Sequence, residues 1–497
     1  MNMQHNAARP DEMIEPLKLC KSFFLTLSQE EITYCHWKSN CRLTKALAGE
    51  TDLDLLIHGD EKSRFEQALE MFSFKRVISP PEKQYPGTED YLGFDYDTGK
   101  LLHLHVHYKV VLGRRHVKEY HLPIEGVIFD NLRVLRDVNV PCAEIELLLL
   151  SIRANMKLGL TSVFRGLIKP GIDVYPENVM AEFRFLLKHY DERRFFDFLS
   201  VTHLPLSQSI LASYLNRLRR GHPTIGTVMK VRTHILKGLK SYRESSTILV
   251  FPRRFVAGLR AFPLVRRRFP PRKKTVAGGG KIFVLVGADG SGKSTLTKDL
   301  SEWLSWKLAV KTSYFGIPKT IGVRLVVLVA NFFRLLKKLC PIEMLIRPLD
   351  LVAKEASARR WVFIARKRLS VFAASRQFAS IGRIVVADRY PLPAFHEMEE
   401  PMDGPRIKGE LRGQTSRLSE QEESYYSKIQ LPSKVFVLQT RVDKLRERKG
   451  DVELRVHEAK ARAVDALEDS HVIDVIDGNL PYSDVLLDIK RRIWESL

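Results

Sequence analysis

Residues 281–300 read KIFVLVGADGSGKSTLTKDL, and the fold of the C-terminal half is decided by them. The pattern G-x-x-x-x-G-K-[ST] is met by Gly287, Gly292, Lys293 and Ser294. Ahead of it, IFVLV is an apolar run of the length of a buried parallel strand. Behind it, Leu296, Leu300 and Leu304 recur at four-residue spacing, which is helical. A glycine-rich loop between strand and helix turns its backbone N–H groups toward phosphate oxygens, and the helix N-terminus adds partial positive charge. The expected ATP-binding set is therefore Gly287, Gly290, Gly292, Lys293, Ser294 and Thr295. Lys293 would bridge the outer phosphates and Ser294 would hold Mg²⁺.

The chain has 497 residues, too many for one ordinary core, and 44% hydrophobic content, that of a folded protein. Its cysteines, Cys20, Cys35, Cys41, Cys142 and Cys340, are odd in number and scattered, with neither a CxxC pair nor a disulfide framework. This suits a reducing cytosol. The first residues, MNMQHNAARPDEMIEP, contain no apolar signal region, and runs such as LVVLVANFF fall short of the ~20 residues of a membrane span. Secretion and a transmembrane anchor are not expected.

Charge is uneven. The net charge is +22, and residues 217–274 carry seventeen Lys and Arg against one acid, Glu244. Pro252, Pro263, Pro270 and Pro271 interrupt this stretch, which runs on to AGGGK, the punctuation of a connector. Its many aromatic and aliphatic residues leave three readings: a solvated linker packing on a neighbouring domain, an anionic membrane surface, and nucleic acid, ranked in that order.

Beyond the loop, AVKTSYFG, RIVVADRYP, SKVFVLQT and HVIDVIDG read as further strands, with a long helical stretch from about Val323 to Ile381. Alternating strands and helices mean an α/β doubly wound parallel sheet, with ligands at the carboxyl ends of the strands. Asp388, Arg389 and Tyr390 emerge at such an end. Asp388 can hold Mg²⁺ through water and Arg389 can clamp a second phosphate; a capping Asp beside a surface Arg is the duller reading.

From Lys281 to Leu497 the chain resembles the thymidylate kinases and thymidylate kinase-like P-loop nucleoside monophosphate kinases. The resemblance rests on GADGSGKST, on DRYP after the third strand, on Arg368 twenty residues before Asp388, on VFVLQTRVDKLRERKGD and on the terminal strand and helix. It implies that Asp289 contacts acceptor or metal, that Arg368, Arg389 and Tyr390 bind the acceptor, and that Arg446 or Arg448 closes over the transferred group. Val286 replaces the family's usual acid before the loop, and YFGIPKT stands where Arg-Glu-Pro-Gly-Gly is expected, so the resemblance does not carry a thymine base. Asp403, in MDGPR, is either an acceptor contact or a solvent-facing turn.

The N-terminal half holds a second constellation. In DLDLLI, a strand, Asp52 and Asp54 share a face and can share a divalent cation. With Lys38, Ser39 and Asn40 in a small loop before it, the stretch Ile32 to Tyr108 resembles the nucleotidyltransferase superfamily, whose DxD pair binds the nucleotide's metal. The family's third carboxylate is missing from LLHLHVHYKV, where His103, His105 and His107 alternate onto one face instead. These imidazoles either complete a Mn²⁺ or Zn²⁺ site with Asp52 and Asp54, His105 foremost, or border solvent in a decayed transferase. Asp95 and Asp97 are candidates for the missing carboxylate. The pattern from VPCAEIELLLLSIRANMKLGL onward is helical to about Arg220.

The expected organisation is a nucleotidyltransferase-like α+β domain at 1–140, a helical segment at 141–216, a basic connector at 217–280 and a thymidylate kinase-like domain at 281–497. The expected activity is ATP-dependent phosphoryl transfer to a small phosphorylated acceptor, a nucleoside monophosphate such as dTMP among the candidates, with nucleotidyl transfer as a candidate second activity of a bifunctional chain. Nucleotidyl transfer as the main activity, and a non-catalytic ATP switch or scaffold at a membrane surface, are the alternatives. Expected partners are the nucleotide and the phosphorylated substrate, an anionic membrane surface through 217–274, nucleic acid ranking lower, and a second copy of the chain in a homodimer. The expected location is the cytoplasm, with peripheral attachment at the inner membrane as a variant.

Overall fold

The computed structural model describes residues 14–113, 118–158, 174–221, 223–244, 273–317, 327–329, 331, 332, 335, 343–392, 407, 414–449 and 470–497. The chain forms two compact units, Met1–Lys273 and Lys274–Leu497.

In the first unit β1 (Tyr34–His36), β2 (Leu53–Ile57), β3 (Lys75–Ile78), β4 (Thr88–Phe94) and β5 (Leu101–His107) lie in the order β1-β2-β5-β4-β3. β2 and β5 run parallel to each other, and the pairs β1–β2, β4–β5 and β3–β4 are antiparallel. Period-two alternation decides the two faces. Leu53, Leu55, Ile57, Leu102, Leu104 and Val106 bury against α1 (Lys18–Gln29) and α2 (Lys62–Met71), whose Phe23, Phe24, Leu27, Phe65 and Leu69 complete that core. The opposite face therefore carries Asp54, His103, His105 and His107.

Among the described residues five helices follow: α3 (Ala143–Lys157), α4 (Glu177–Leu187), α5 (Glu192–Val201), α6 (Gln208–Arg219) and α7 (Ile225–Gly238). A helix apolar on every side belongs in an interior. With its run from Ile145 to Ile152 buried, α3 packs against α4, α5 and α7. α7 falls inside the stretch read from sequence as connector. Its Val228, Val231 and Ile235 are buried in the same helical core, so this part of the basic stretch is a packed helix with a charged outer side. Residues 245–272 of that stretch lie outside the described residues.

The second unit is a five-stranded, wholly parallel sheet of β6 (Ile282–Gly287), β7 (Val310–Tyr314), β8 (Ile384–Asp388), β9 (Lys434–Gln439) and β10 (Ile473–Asp477), in the order β7-β8-β6-β9-β10. β6 is buried throughout, as expected of a parallel strand covered on both faces. α8 (Lys293–Ser305) buries Leu296, Leu300 and Leu304, each worth about 2 kcal/mol of apolar burial. α9 (Glu343–Ala379), α10 (Gln414–Tyr426), α11 (Val442–Lys449) and α12 (Tyr482–Ser496) are its further helices among the described residues. Among the described residues no helix is long and apolar enough to cross a membrane.

Candidate active site

The carboxyl ends of the parallel strands hold the first site. Gly287 closes β6 opposite Leu438 of β9, and Leu285 and Tyr314 both stand opposite Asp388. A side chain at Gly287 would meet Ser291 Oγ at 2.8 Å and the Leu438 carbonyl at 3.0 Å, so the close packing of loop on strand requires glycine. Gly292 sits at φ +93°, a left-handed turn that sends the chain directly into α8. Lys293, buried at the first position of α8, donates from Nζ to the Ala288 carbonyl at 2.6 Å, so its ammonium lies over the loop.

Beyond the last residue of β8, Arg389 adopts φ +60°. For a residue with a Cβ this costs about 1–2 kcal/mol. The strained turn sends the guanidinium back over the loop, where Nη2 donates to Asp289 Oδ1 at 2.7 Å. Asp388 points inward and is 7% exposed, its Oδ1 buried with no hydrogen-bond partner among the described residues. Burial raises its carboxyl above the ordinary value, against the pull of Lys293 and Arg389. A buried carboxylate oxygen without a hydrogen-bond partner among the described residues suits a hard cation such as Mg²⁺, which takes oxygen ligands. Beside the loop a cavity of ≈ 300 Å³ is lined by Gly290, Gly292, Thr295, Leu480, Tyr482 and Val485.

Arg368, on α9, is 1% exposed and reaches the carboxyl end of β7: its Nε donates to the Phe315 carbonyl and its Nη1 to the Tyr426 hydroxyl, both at 2.7 Å. Phe315 in turn donates its N–H to the Asp388 carbonyl. Tyr390 departs from the acceptor contact that the resemblance implies. It is fully buried, its ring lies 4.7 Å from that of Phe315, and its hydroxyl donates to the Gln430 carbonyl, so it serves packing. Arg446 and Arg448 lie on α11, their side chains outside those described, and Asp403 lies outside the described residues.

The second constellation forms on the open face of the first unit. In register, His105 of β5 stands opposite Asp54 of β2 on one side and Asp90 of β4 on the other. Asp90 is the carboxylate that sequence reasoning missed: its Oδ1 lies 2.8 Å from His105 Nδ1 and 3.1 Å from His103 Nε2. Asp95 and Asp97 do not supply it. Asp95 accepts the Leu19 and Thr98 N–H groups in the hairpin turn, and Asp97 pairs with Lys18 at the surface. Asp52 turns to His103 Nδ1 at 2.9 Å, so the two acids of DLD face different partners.

Asp54 instead meets Lys38 Nζ at 2.8 Å. The loop that carries Lys38 is pinned by Asn40, which donates its N–H to Glu146 Oε1 at 2.9 Å and its Nδ2 to Oε2 at 3.0 Å. Ser39 within it is left-handed at φ +61°. Arg153 of α3 pairs with Glu182 of α4 next to the same loop. Burial pushes the Asp54 carboxyl up, but Lys38, the bond to His107 and the field of His105 outweigh it and hold it well below the usual range. Burial and the ammonium groups of Lys38 and Lys118 hold His107 well below its ordinary value, and burial lowers His105. Burial also lowers Lys157 to about 8 and raises Glu146 to about 7.

No family model matches the chain, and no curated protein matches it. Solved structures do. The chain is similar to a thymidylate kinase from Candida albicans (16% identity, TM-score 0.25), over 44% of this chain and 90% of that one. It is similar to a thymidylate kinase from Ehrlichia chaffeensis (17%, TM-score 0.24; 43% and 98%) and to a deoxyadenosine kinase from M. mycoides, solved with bound dATP (13%, TM-score 0.27; 43% and 98%).

Proposed function

We propose that the C-terminal unit transfers the terminal phosphoryl group of ATP to a small phosphorylated acceptor, with nucleoside monophosphates, dTMP among them, as the first class to test. The supporting observation is Arg389. An unfavourable backbone angle holds its guanidinium over the phosphate loop, on Asp289. A protein that only sensed ATP would have no use for a strained cation on the acceptor side.

In this reading the loop N–H groups and Lys293 take the β- and γ-phosphates, and the cavity at Leu480 and Tyr482 takes the base. Ser294 and Asp388 would hold Mg²⁺, which when bound offsets phosphate charge. The acceptor's phosphate oxygen attacks Pγ, the bond from Pγ to the β–γ bridging oxygen breaks, and ADP leaves with that electron pair. The acceptor is already an oxyanion, so no general base is needed and positioning supplies the rate. Arg389 binds the acceptor phosphate; Arg368 joins it once Tyr426 releases the guanidinium. Arg446, Arg448 and Asp403 are proposed contacts of the closed state, in which water is excluded. Residues 217–274 are proposed to meet an anionic surface, and the protein to act in the cytoplasm.

The test is ADP release across a panel of nucleoside monophosphates and sugar phosphates. At least one acceptor should raise turnover well above the rate with ATP alone. Uniformly slow hydrolysis would favour the ATP-switch reading.

A further inference from the structure

On the sheet face turned away from α1 and α2, Asp54, His105 and His107 each offer one ligand atom, and the three atoms lie within 4.8 Å of one another. The parallel register of β2 and β5 brings them together, Asp54 opposite His105 and Leu56 opposite His107. Their supports are in place. Asp90 Oδ1 lies 2.8 Å from His105 Nδ1, the arrangement that fixes Nε2 as the outward-facing nitrogen of a metal-binding imidazole. His107 is fully buried, its ring edge-on to Trp37 at 5.0 Å. A cation already tests the site: Lys38 Nζ is 2.8 Å from Asp54 Oδ1 and 3.4 Å from His107 Nε2, and Lys118 Nζ is 3.2 Å from His105 Nε2.

We infer that Asp54, His105 and His107 form a three-ligand site for Zn²⁺, with Asp90 as the positioning residue behind His105 and with Lys38 and Lys118 as competitors that the ion displaces. This inference is independent of the phosphoryl-transfer reading, which concerns the other unit.

The geometry is within reach. Zn–N and Zn–O distances of about 2.0 Å put tetrahedral ligands about 3.3 Å apart, so the longest present separation must close by roughly 1.5 Å, a rotamer adjustment. Both ammonium groups already touch a ring, Lys38 Nζ at 4.5 Å from the centre of Trp37 and Lys118 Nζ at 4.8 Å from that of Tyr85, contacts within cation–π range that can hold each as it swings off the ligand atoms. Two imidazoles and one carboxylate favour Zn²⁺ over Mn²⁺, and both over Mg²⁺. The ligand set differs from the one expected from sequence, since Asp52 is engaged by His103 and His107 takes its part.

The experiment is calorimetric titration of Zn²⁺ into the full-length protein, stripped with a chelator and free of nucleotide, with Co²⁺ absorption as a reporter of nitrogen ligation. Binding should saturate at one ion per chain. Asp54→Asn and His105→Gln should weaken it by about a hundredfold or more, and Asp90→Asn by about tenfold. Asp52→Ala should leave it unchanged. Lys38→Met should tighten it, because a competing cation is gone; a gain of affinity cannot come from misfolding. Absence of saturable binding in both wild type and Lys38→Met would overturn the inference. So would binding that Asp54→Asn and His105→Gln, shown folded by their thermal transitions, leave unchanged.

Discussion

The two units handle charge by opposite means. In the C-terminal unit the candidate site is built mainly on backbone: a loop shaped by Gly287 and Gly292, a helix end, and single side chains at strand ends, Asp388 and Arg389. In the N-terminal unit the constellation is made of side chains from β2, β4, β5, the Lys38 loop and α3, which crowd carboxylates, imidazoles and ammonium groups into a buried face. The amide part of that site keeps its electrostatics at every ordinary pH, because amides do not titrate, and Asp388, its carboxyl raised by burial, is the member that responds to pH. A side-chain site is tuned by burial and by its neighbours, so its stability and ligand preference depend on pH and on which cation is present.

The largest effect that separates the two should come from Lys293→Ala. Stripping that charge from the outer phosphates should cost about 4 kcal/mol of barrier, on the order of a thousandfold in ADP release with any acceptor, measured at saturating ATP. Binding of Zn²⁺ by the other unit should not change.

The second effect belongs to the N-terminal unit. Burial raises Glu146 to about 7 from its ordinary 4.5, so the folded state favours its protonated form. That contribution is fully present below pH 4.5 and is lost as pH rises through about 7, a span worth on the order of 3 kcal/mol. Amide hydrogen exchange in α3, Ala143–Lys157, should therefore show protection falling across this window after correction for the intrinsic rate. Glu146→Gln should flatten the dependence. A wild-type profile as flat as the variant's would break the contrast drawn here.

The smallest effect sharpens the role of the strained turn. Arg389→Gly should raise the stability of the C-terminal unit by about 1 kcal/mol, read from its denaturation midpoint, because glycine accepts φ +60° without a Cβ clash. It should also remove acceptor stimulation. Stability that falls instead would mean that the ion pair with Asp289, not the acceptor, is what the turn is kept for.

The same division explains what could be read beforehand. A backbone site writes its requirements into local sequence as glycines at fixed spacing, so the loop, the strand ahead of it and the leucine face of α8 were all legible. Alternation along β5 likewise exposed the histidine face. Asp90 was missed although the hairpin contained the signal. Counting back from the turn at Asp95–Lys100, an antiparallel pair places residue 90 opposite 105 on the same face. The acids nearest the turn give the stronger local pattern, but there Asp95 caps N–H groups. Lys38, Lys118, Arg153 and Lys157 converge from distant segments, and no local pattern announces that. α7 was hidden by composition: the spacing of Val228, Val231 and Ile235 is helical, but the basic residues around them read as linker.

The most direct test of the central claim is transfer of label from γ-labelled ATP to acceptor, with the labelled product identified by chromatography, for wild type and Arg389→Ala side by side. The account predicts a labelled acceptor and stoichiometric ADP from wild type. It also predicts that Arg389→Ala binds ATP with unchanged affinity and labels acceptor at least about a hundredfold more slowly, the cost of losing one charged contact to the acceptor phosphate. Label appearing only in inorganic phosphate with every acceptor in the panel, at a rate Arg389→Ala leaves untouched, would contradict it.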